Sequence, residues 1–360
     1  MFGSKQQIAT VEALKYASQP KIKKFTATSS PTDLFLKVQE QYEYAYLLES
    51  MKGPRKLAHF SFIGFMPRLI VTVKNGEVKL KSMETNEEAR IEATDPLEVI
   101  TKVLGREDDY GGFRFLGGAV GYISYDSIRY WEKIPTLAVD DLKFPDLEMG
   151  VYDDGVIFDH VSGETFYFFR SKDRSEELSR LAKKPYDLGS LSHTDPEVNI
   201  RKDEYEKLVK KAKDYIASGD IFQVVLSKRY DFKVDGDLAR FYLALRRINP
   251  SPYMYFLKMG ERRIIGSSPE MLVRVDRGTV ETFPIAGTRP RVRDPHENRR
   301  LAEDLLSDPK EQAEHVMLVD LARNDVGKVS RFGSVHVMEF MKVHEYSHVQ
   351  HICLLYTSDA

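Results

Sequence analysis

Residues Asp308–Lys328, DPKEQAEHVMLVDLARNDVGK, read as one helix with both ends marked. Asp308 suits the N-cap, Pro309 the first helical position, and Glu311 completes a capping box three residues on. Gly327 follows the last apolar residue, where a left-handed C-terminal cap is expected. At helical spacing Glu314, Leu318, Leu321 and Asp325 share one face, which puts Glu314 on a core-facing stripe. A carboxylate there has to be protonated, paired or bound to a metal. The bland alternative is a carboxylate favoured near a helix N-terminus, but Glu311 fills that role and Glu314 sits a turn further in.

The surrounding 360 residues suggest about two domains with ample material for a core. A hydrophobic content of 42% beside 30% charged residues is ordinary for a globular protein. The formal net charge of -2 gives no pull toward nucleic acid or an anionic membrane. The N-terminal MFGSKQQIATVEALKYASQPKIKKF lacks the apolar stretch of a signal peptide, and no run is long enough to cross a bilayer. With Cys353 as its one cysteine, the chain has no internal disulfide framework and no cysteine-based zinc site. A cytoplasmic protein is the expectation.

In chain order, Ser30-Pro31-Thr32-Asp33 opens a helix, and YAYLLES (44–50) reads as a buried strand running out into a loop at Glu49 and Ser50. Strands follow on either side of an Asn75-Gly76 turn, and another hairpin turns near Ser162-Gly163. Gly117, Gly118 and Gly121 interrupt a strand pattern and mark close packing, since their spacing does not match a phosphate-binding loop. The polar stretch 171–198 reads as a surface helix and a linker, dividing the chain into portions 1–195 and 196–352. KDEYEKLVKKAKDYIASGD is an amphipathic helix ended by Gly219. IFQVVLSKRYDFKV is expected as a strand with Phe222, Val224 and Leu226 facing a core and Gln223 on the opposite face, able to line a site. Four further strands follow, MYFLKMG, RRIIGS, MLVRVD and TVETFP. Many strands without regular βαβ alternation argue for α+β.

Three other stretches could carry chemistry. Glu270 lies in a tight turn between two apolar strands, where an ordinary surface carboxylate is also common. In TFPIAGTRPR, Gly287 and Thr288 lie just beyond a strand, flanked by Arg289 and Arg291; such a loop can offer N–H groups, a hydroxyl and positive charge to an anion, or be a plain turn. In YSHVQHI, His348 and His351 would suit a metal on a helix, but the surroundings are strand-like and the rings then diverge, leaving one functional histidine at most.

Taken in series, GDIFQVVLSKRY, NPSPYMYFL, IIGSSPEMLVRV, TFPIAGTRPR, AEHVMLVDLARNDVGKV and YSHVQHI resemble the chorismate-using enzymes, most closely the large subunits of anthranilate synthases. LLES and GGAVGYISYD extend the resemblance over nearly the whole chain. It implies two packed, mostly antiparallel sheets with outer helices and intermingled N- and C-terminal halves. It also implies a reaction: ammonia adds to C2 of chorismate as the C4 hydroxyl leaves, and pyruvate is eliminated to give anthranilate. On this basis Glu314 is a ligand of Mg²⁺, Glu270 the acid, His351 the histidine beside the ring, and Gly287 and Thr288 the chorismate-binding loop. Gln223 stands where water-using relatives carry a lysine base. The aminodeoxychorismate synthases usually have a lysine at the position of Ala286, and isochorismate and salicylate synthases one at Gln223; both lysines are missing here. LLES with NPSPYM resembles a tryptophan feedback pocket, with Glu49, Ser50, Pro252, Tyr253 and Met254. The implied partner is a glutamine amidotransferase subunit that supplies ammonia.

The resemblance stops after Ile352. The family continues with a glycine-rich segment, a second acidic metal ligand, and a tyrosine and an arginine that hold chorismate. CLLYTSDA instead resembles the translated end of a transposon, so residues 353–360 are read as a foreign tail on a chain whose C-terminal part is missing. The expectations are a chain without activity, or a fragment that binds only tryptophan or the partner.

Overall fold

The organising helix runs Pro309–Gly327 and has the expected N-cap: the Asp308 carboxylate accepts from the backbone N–H groups of Lys310 (2.9 Å) and Glu311 (3.4 Å), while the Glu311 carboxylate faces Arg289 (3.6 Å). Its end differs from expectation. Gly327 is the last helical residue, and Lys328 caps it with right-handed backbone angles. The inward face also differs. Glu311, His315, Ala322 and Val326 are the buried residues, whereas Glu314 and Leu318 are half-buried and Leu321 and Asp325 exposed. The expected Glu314 stripe is therefore not the core face. Apolar residues occur all round this helix, so spacing alone selects no side.

The computed structural model describes residues 18–26, 30–51, 59–105, 112–346 and 348–359; the extreme N-terminus, 1–17, and Ser347 of YSHVQHI lie outside them. The chain divides into two compact units, one formed by residues 187–244 and the other by 1–186 with 245–360. The boundary drawn at 195 falls inside the smaller unit.

In the larger unit every strand pairing is antiparallel. A seven-stranded sheet takes its strands in the order Lys21–Lys24, Thr165–Phe169, Asp154–Asp159, Phe60–Phe65, Tyr44–Glu49, Tyr253–Met259 and Arg262–Ser268. Strands from both ends of the sequence thus share one sheet, as the implied intermingling requires. A five-stranded sheet, Glu88–Glu92, Glu77–Ser82, Leu69–Lys74, Leu147–Tyr152 and Gly118–Ile123, packs Val71, Val73, Val78 and Leu80 against Val99 and Val103 of the helix Pro96–Leu104. Asn75 and Gly76 both have positive φ, 51° and 83°, in the hairpin of this sheet. Close packing explains Gly121: a Cβ there would lie 1.9 Å from the Glu148 carbonyl oxygen.

The third sheet carries the candidate site. Met271–Asp276 pairs with Thr279–Phe283, and Val349–Asp359 runs through the middle, flanked by Thr279–Phe283 and Ile285–Pro290 on one edge and His336–Glu345 on the other. Residues 353–359, read from sequence as a foreign tail, form the second half of this central strand. Cys353, Leu354, Leu355 and Tyr356 are all buried in it. The α+β class holds, with the strands divided among three larger sheets.

The smaller unit contains the helix Lys202–Ala217 and two short ribbons, Leu191–His193 with Val234–Gly236 and Glu197–Val198 with Tyr230–Asp231. Gly219 has φ 79° just past the helix, as its position suggested. Two expectations fail here. Residues 221–229 form no strand, and Phe222, meant for a core, is 91% exposed. The amphipathic helix has no buried residue.

Candidate active site and ligand pocket

Two strands of the third sheet and the turn that leads into it gather the residues singled out around the acid. The register pairs Ile285 with Cys353 and Ala286 with Ile352, then breaks at Gly287 and Thr288 before resuming at Arg289. That irregularity lets the His351 ring reach the loop: its Nδ1 lies 2.8 Å from the Gly287 carbonyl oxygen and 3.1 Å from Thr288 Oγ1. A carbonyl can only accept, so Nδ1 carries the proton and Nε2 is the basic nitrogen. Tyr346 flanks the ring at 5.4 Å between centroids. Gly287 has φ +60°, a left-handed conformation that favours glycine; a Cβ there would also meet the side-chain ends of Leu305 at 2.9 Å and Glu311 at 3.0 Å. Glu270 is exposed in the turn after Arg262–Ser268. Its backbone N–H donates to Ser268 Oγ (3.3 Å), and its Oε1 accepts from the Ile285 N–H (3.4 Å). Glu270, Gly287, Thr288 and His351 therefore belong to one neighbourhood.

The flanking arginines do not serve the loop. Arg289 is engaged by Asp304 (2.7 Å), Asp308 (2.9 Å) and Glu311 (3.6 Å), tying the strand to the start of the long helix. Arg291 pairs with Glu345 at 3.1 Å. Their spacing made them look like an anion clamp, but the carboxylates that occupy them come from elements 15 to 54 residues away. Glu314 projects from the half-buried flank of the long helix. Among the described residues no group of three histidine, cysteine, aspartate or glutamate side chains is set to hold a metal ion. Mg²⁺ asks for only one or two carboxylates beside substrate and water, so a site for it does not require such a group. Gln223 belongs to the smaller unit, exposed on its strandless segment.

A second site lies in the seven-stranded sheet. A cavity of about 530 Å³ is lined by Glu49 and Ser50 together with Pro252, Tyr253 and Met254. Strand pairing explains the meeting, because Met254 is the register partner of Glu49. Glu49 is 3% exposed and accepts from Arg246 Nε (2.9 Å), Arg246 Nη2 (3.0 Å) and Thr32 Oγ1 (2.9 Å). It is a held carboxylate and not the fraying end of a strand. The Ser50 N–H donates to Ser61 Oγ at 3.1 Å, which lies 2.7 Å from His160 Nε2; burial lowers the pKa of that imidazole. Phe60, Phe62, Phe115 and Tyr122 supply the apolar wall, and Arg114 and Arg274 the cationic one. Sequence reasoning missed Thr32 and Arg246 as partners of Glu49, and Arg114 and Arg274 as lining of the cavity: Thr32 reads as part of a helix start and Arg274 as part of a strand, while Arg246 and Arg114 stand outside the motifs.

The sequence profile of the chorismate binding enzyme family matches residues 43–354. The chain belongs to that family. Within it, anthranilate synthase component 1 of Methanothermobacter marburgensis is 47% identical over 322 residues, covering 89% of this chain and 68% of that protein. The component 1 protein of Aquifex aeolicus is 40% identical over 349 residues, covering 90% and 70%. The solved structure of anthranilate synthase component I from Streptococcus pneumoniae superposes with a TM-score of 0.72 at 33% identity, covering 84% of this chain and 69% of that one. A menaquinone-specific isochorismate synthase from Escherichia coli shares the chorismate binding fold at a TM-score of 0.64 and 14% identity.

Proposed function

We propose that the protein is the chorismate-converting subunit of an anthranilate synthase, forming anthranilate and pyruvate from chorismate and ammonia. The relation between His351 and the Gly287 carbonyl carries the mechanistic part. With Nδ1–H held by that carbonyl, Nε2 is fixed as a proton acceptor beside the loop that binds chorismate. In the first step ammonia forms the bond to C2 as the C4–O bond breaks, and Glu270 gives its proton to the departing hydroxyl, which leaves as water; the new C2 ammonium then loses one proton, which restores the acid form of Glu270. In the second, Nε2 of His351 removes the C2 proton as the enolpyruvyl C3–O bond breaks; the aromatic ring forms, and the departing enolpyruvate takes up one proton at its methylene carbon to become pyruvate, which balances the proton left on His351. Gly287 and Thr288 offer backbone and hydroxyl to the substrate. Glu314 would hold Mg²⁺, which neutralises the ring carboxylate of chorismate when bound.

The product follows from two positions. Ala286 is 3% exposed and offers no amine to attack the ring. Gln223 supplies no lysine base to activate water, which favours ammonia as nucleophile. That ammonia comes from glutamine through a partner amidotransferase subunit.

The 530 Å³ cavity is assigned to tryptophan as inhibitor. Glu49 brings a carboxylate to the lining for an ammonium group, and the aromatic wall suits an indole. Its link to the acid is short. Tyr253 pairs with Ser268, whose hydroxyl accepts from the Glu270 N–H, and Met271 on the far side of Glu270 lines the cavity. A ligand there that prefers one arrangement of residues 268–271 changes the position of Glu270.

The reading is tested with Glu314→Gln, made in the protein extended to the length of its relatives. The substitution keeps size and removes charge, so Mg²⁺-dependent activity should fall while the thermal transition stays in place. Full activity at limiting Mg²⁺ would remove Glu314 as a ligand.

A further inference from the structure

On the opposite face of the strand that carries His351, a polar groove of about 450 Å³ is lined by three arginines, Arg291, Arg293 and Arg299, and by one carboxylate, Glu345. Its floor is buried and fixed. Gln350 is 1% exposed and Asn298 8%. Gln350 Nε2 donates to the Asn298 backbone oxygen (3.0 Å) and to Asn298 Oδ1 (3.1 Å), while Asn298 Nδ2 donates to Glu345 Oε1 (2.8 Å). Arg291 is set in place by Glu345 (3.1 Å) and by the Tyr346 carbonyl (2.8 Å). The single carboxylate of the groove is thus already committed to Arg291 and Asn298.

Arg293 and Arg299 differ from the other arginines of this region. Arg289, Arg291 and Arg300 each meet a carboxylate, whereas no described residue places one within ion-pair distance of Arg293 or Arg299. The start of the helix Pro295–Ser307 also lines the groove through Pro295 and Asn298, adding the positive end of its dipole. Asp294 caps that helix by accepting from the His296 N–H at 3.0 Å and offsets part of the field. Solvated arginines at a helix start need no ligand. Here, however, three arginines against a single carboxylate line a concave surface whose floor is buried and hydrogen-bonded within the protein, and an excess of positive charge in a concavity concentrates counter-ions.

We propose that this groove is an anion site separate from the chorismate site, taking a small ligand that bears a phosphate or paired carboxylates. Arg293 and Arg299 close on it beside Arg291, which Glu345 and the Tyr346 carbonyl hold in place, since guanidinium groups match both oxyanions with two parallel hydrogen bonds.

The test titrates the 360-residue chain by calorimetry with inorganic phosphate, pyrophosphate and citrate, at ionic strength held constant with chloride. One equivalent of at least one anion should bind saturably. Phosphate or pyrophosphate binding identifies a phosphoryl ligand, and citrate binding a carboxylate one. The double variant Arg293→Gln/Arg299→Gln should weaken that binding by about tenfold or more. Arg299→Lys, which keeps the charge but loses the fork, should fall between the two. An absence of saturable binding at millimolar anion, or affinities unchanged in the double variant, would overturn the assignment. Should the double variant unfold, an Arg299→Lys affinity equal to the parent's would overturn it equally.

Discussion

Arg246 grips Glu49 with two nitrogens, at 2.9 and 3.0 Å, across 197 residues of sequence. The pair fastens the end of the strand Tyr44–Glu49 to the helix Ala239–Ile248 beside the assigned tryptophan cavity. Because Glu49 is almost wholly buried and Arg246 is about one-third exposed, removing the arginine strands a carboxylate that water reaches poorly. Arg246→Ala should cost about 2–3 kcal/mol in urea unfolding, below the full penalty for a completely buried pair. Adding Glu49→Gln should recover part of that loss. A single variant as stable as the parent would show that the pair contributes nothing.

Ser50→Phe fills the cavity from its rim. Tryptophan inhibition of the extended protein should disappear, with turnover in the absence of tryptophan nearly unchanged. Inhibition curves that overlay for parent and variant would exclude Ser50 from the site.

Cys353 tests the central strand of the third sheet. The side chain is fully buried, and burial pushes its thiol up to about 12. A disulfide reagent at mild alkaline pH should therefore modify the folded chain at least about a hundredfold more slowly than the chain in guanidinium. Equal rates would mean that residues 353–359 do not occupy the strand. Cys353→Ser, which places a hydroxyl in that apolar setting, should cost about 1–2 kcal/mol.

The local features were the legible ones. Asn75-Gly76, Gly219 and the Asp308 cap act through neighbours within a few residues, so their sequence signals sufficed. The stretch 221–229 shows the limit. Alternation of Phe222, Val224 and Leu226 says which face a strand could bury, but a strand also needs a partner edge, and none is encoded within the segment itself. Glu314 failed as a core position because Val316, Met317, Val319 and Leu321 surround the long helix with apolar side chains, and packing chose the face through Glu311 and His315. At the site, His351 and Thr288 could be named from motifs, but the register break that joins them could not. Arg246 was invisible for a simpler reason: nothing near it in sequence hints at Glu49.

Asp154 gives a pH dependence with a definite sign. It is 1% exposed, 3.0 Å from Arg174 and 2.7 Å from the Tyr167 hydroxyl, and burial raises its carboxyl to about 6 despite these partners. A carboxyl raised above its unfolded value of about 4 binds protons more readily in the folded state between those limits. Its contribution therefore falls as pH rises from about 4 to about 6, by an amount on the order of 2 kcal/mol. Asp154→Asn should remove this slope, seen as a flatter dependence of the thermal midpoint between pH 4 and 7. A slope unchanged in the variant would assign it to other groups.

The most direct measurement follows chorismate, ammonia and Mg²⁺ to products by fluorescence and chromatography, on the chain and on a form extended to the length of its relatives. Anthranilate with an equivalent of pyruvate is the expected outcome for the extended form, reduced by about two orders of magnitude or more in Glu270→Gln and His351→Ala with folding preserved. Formation of 4-amino-4-deoxychorismate or isochorismate as the main product, or anthranilate formation indifferent to both substitutions, would contradict the assignment.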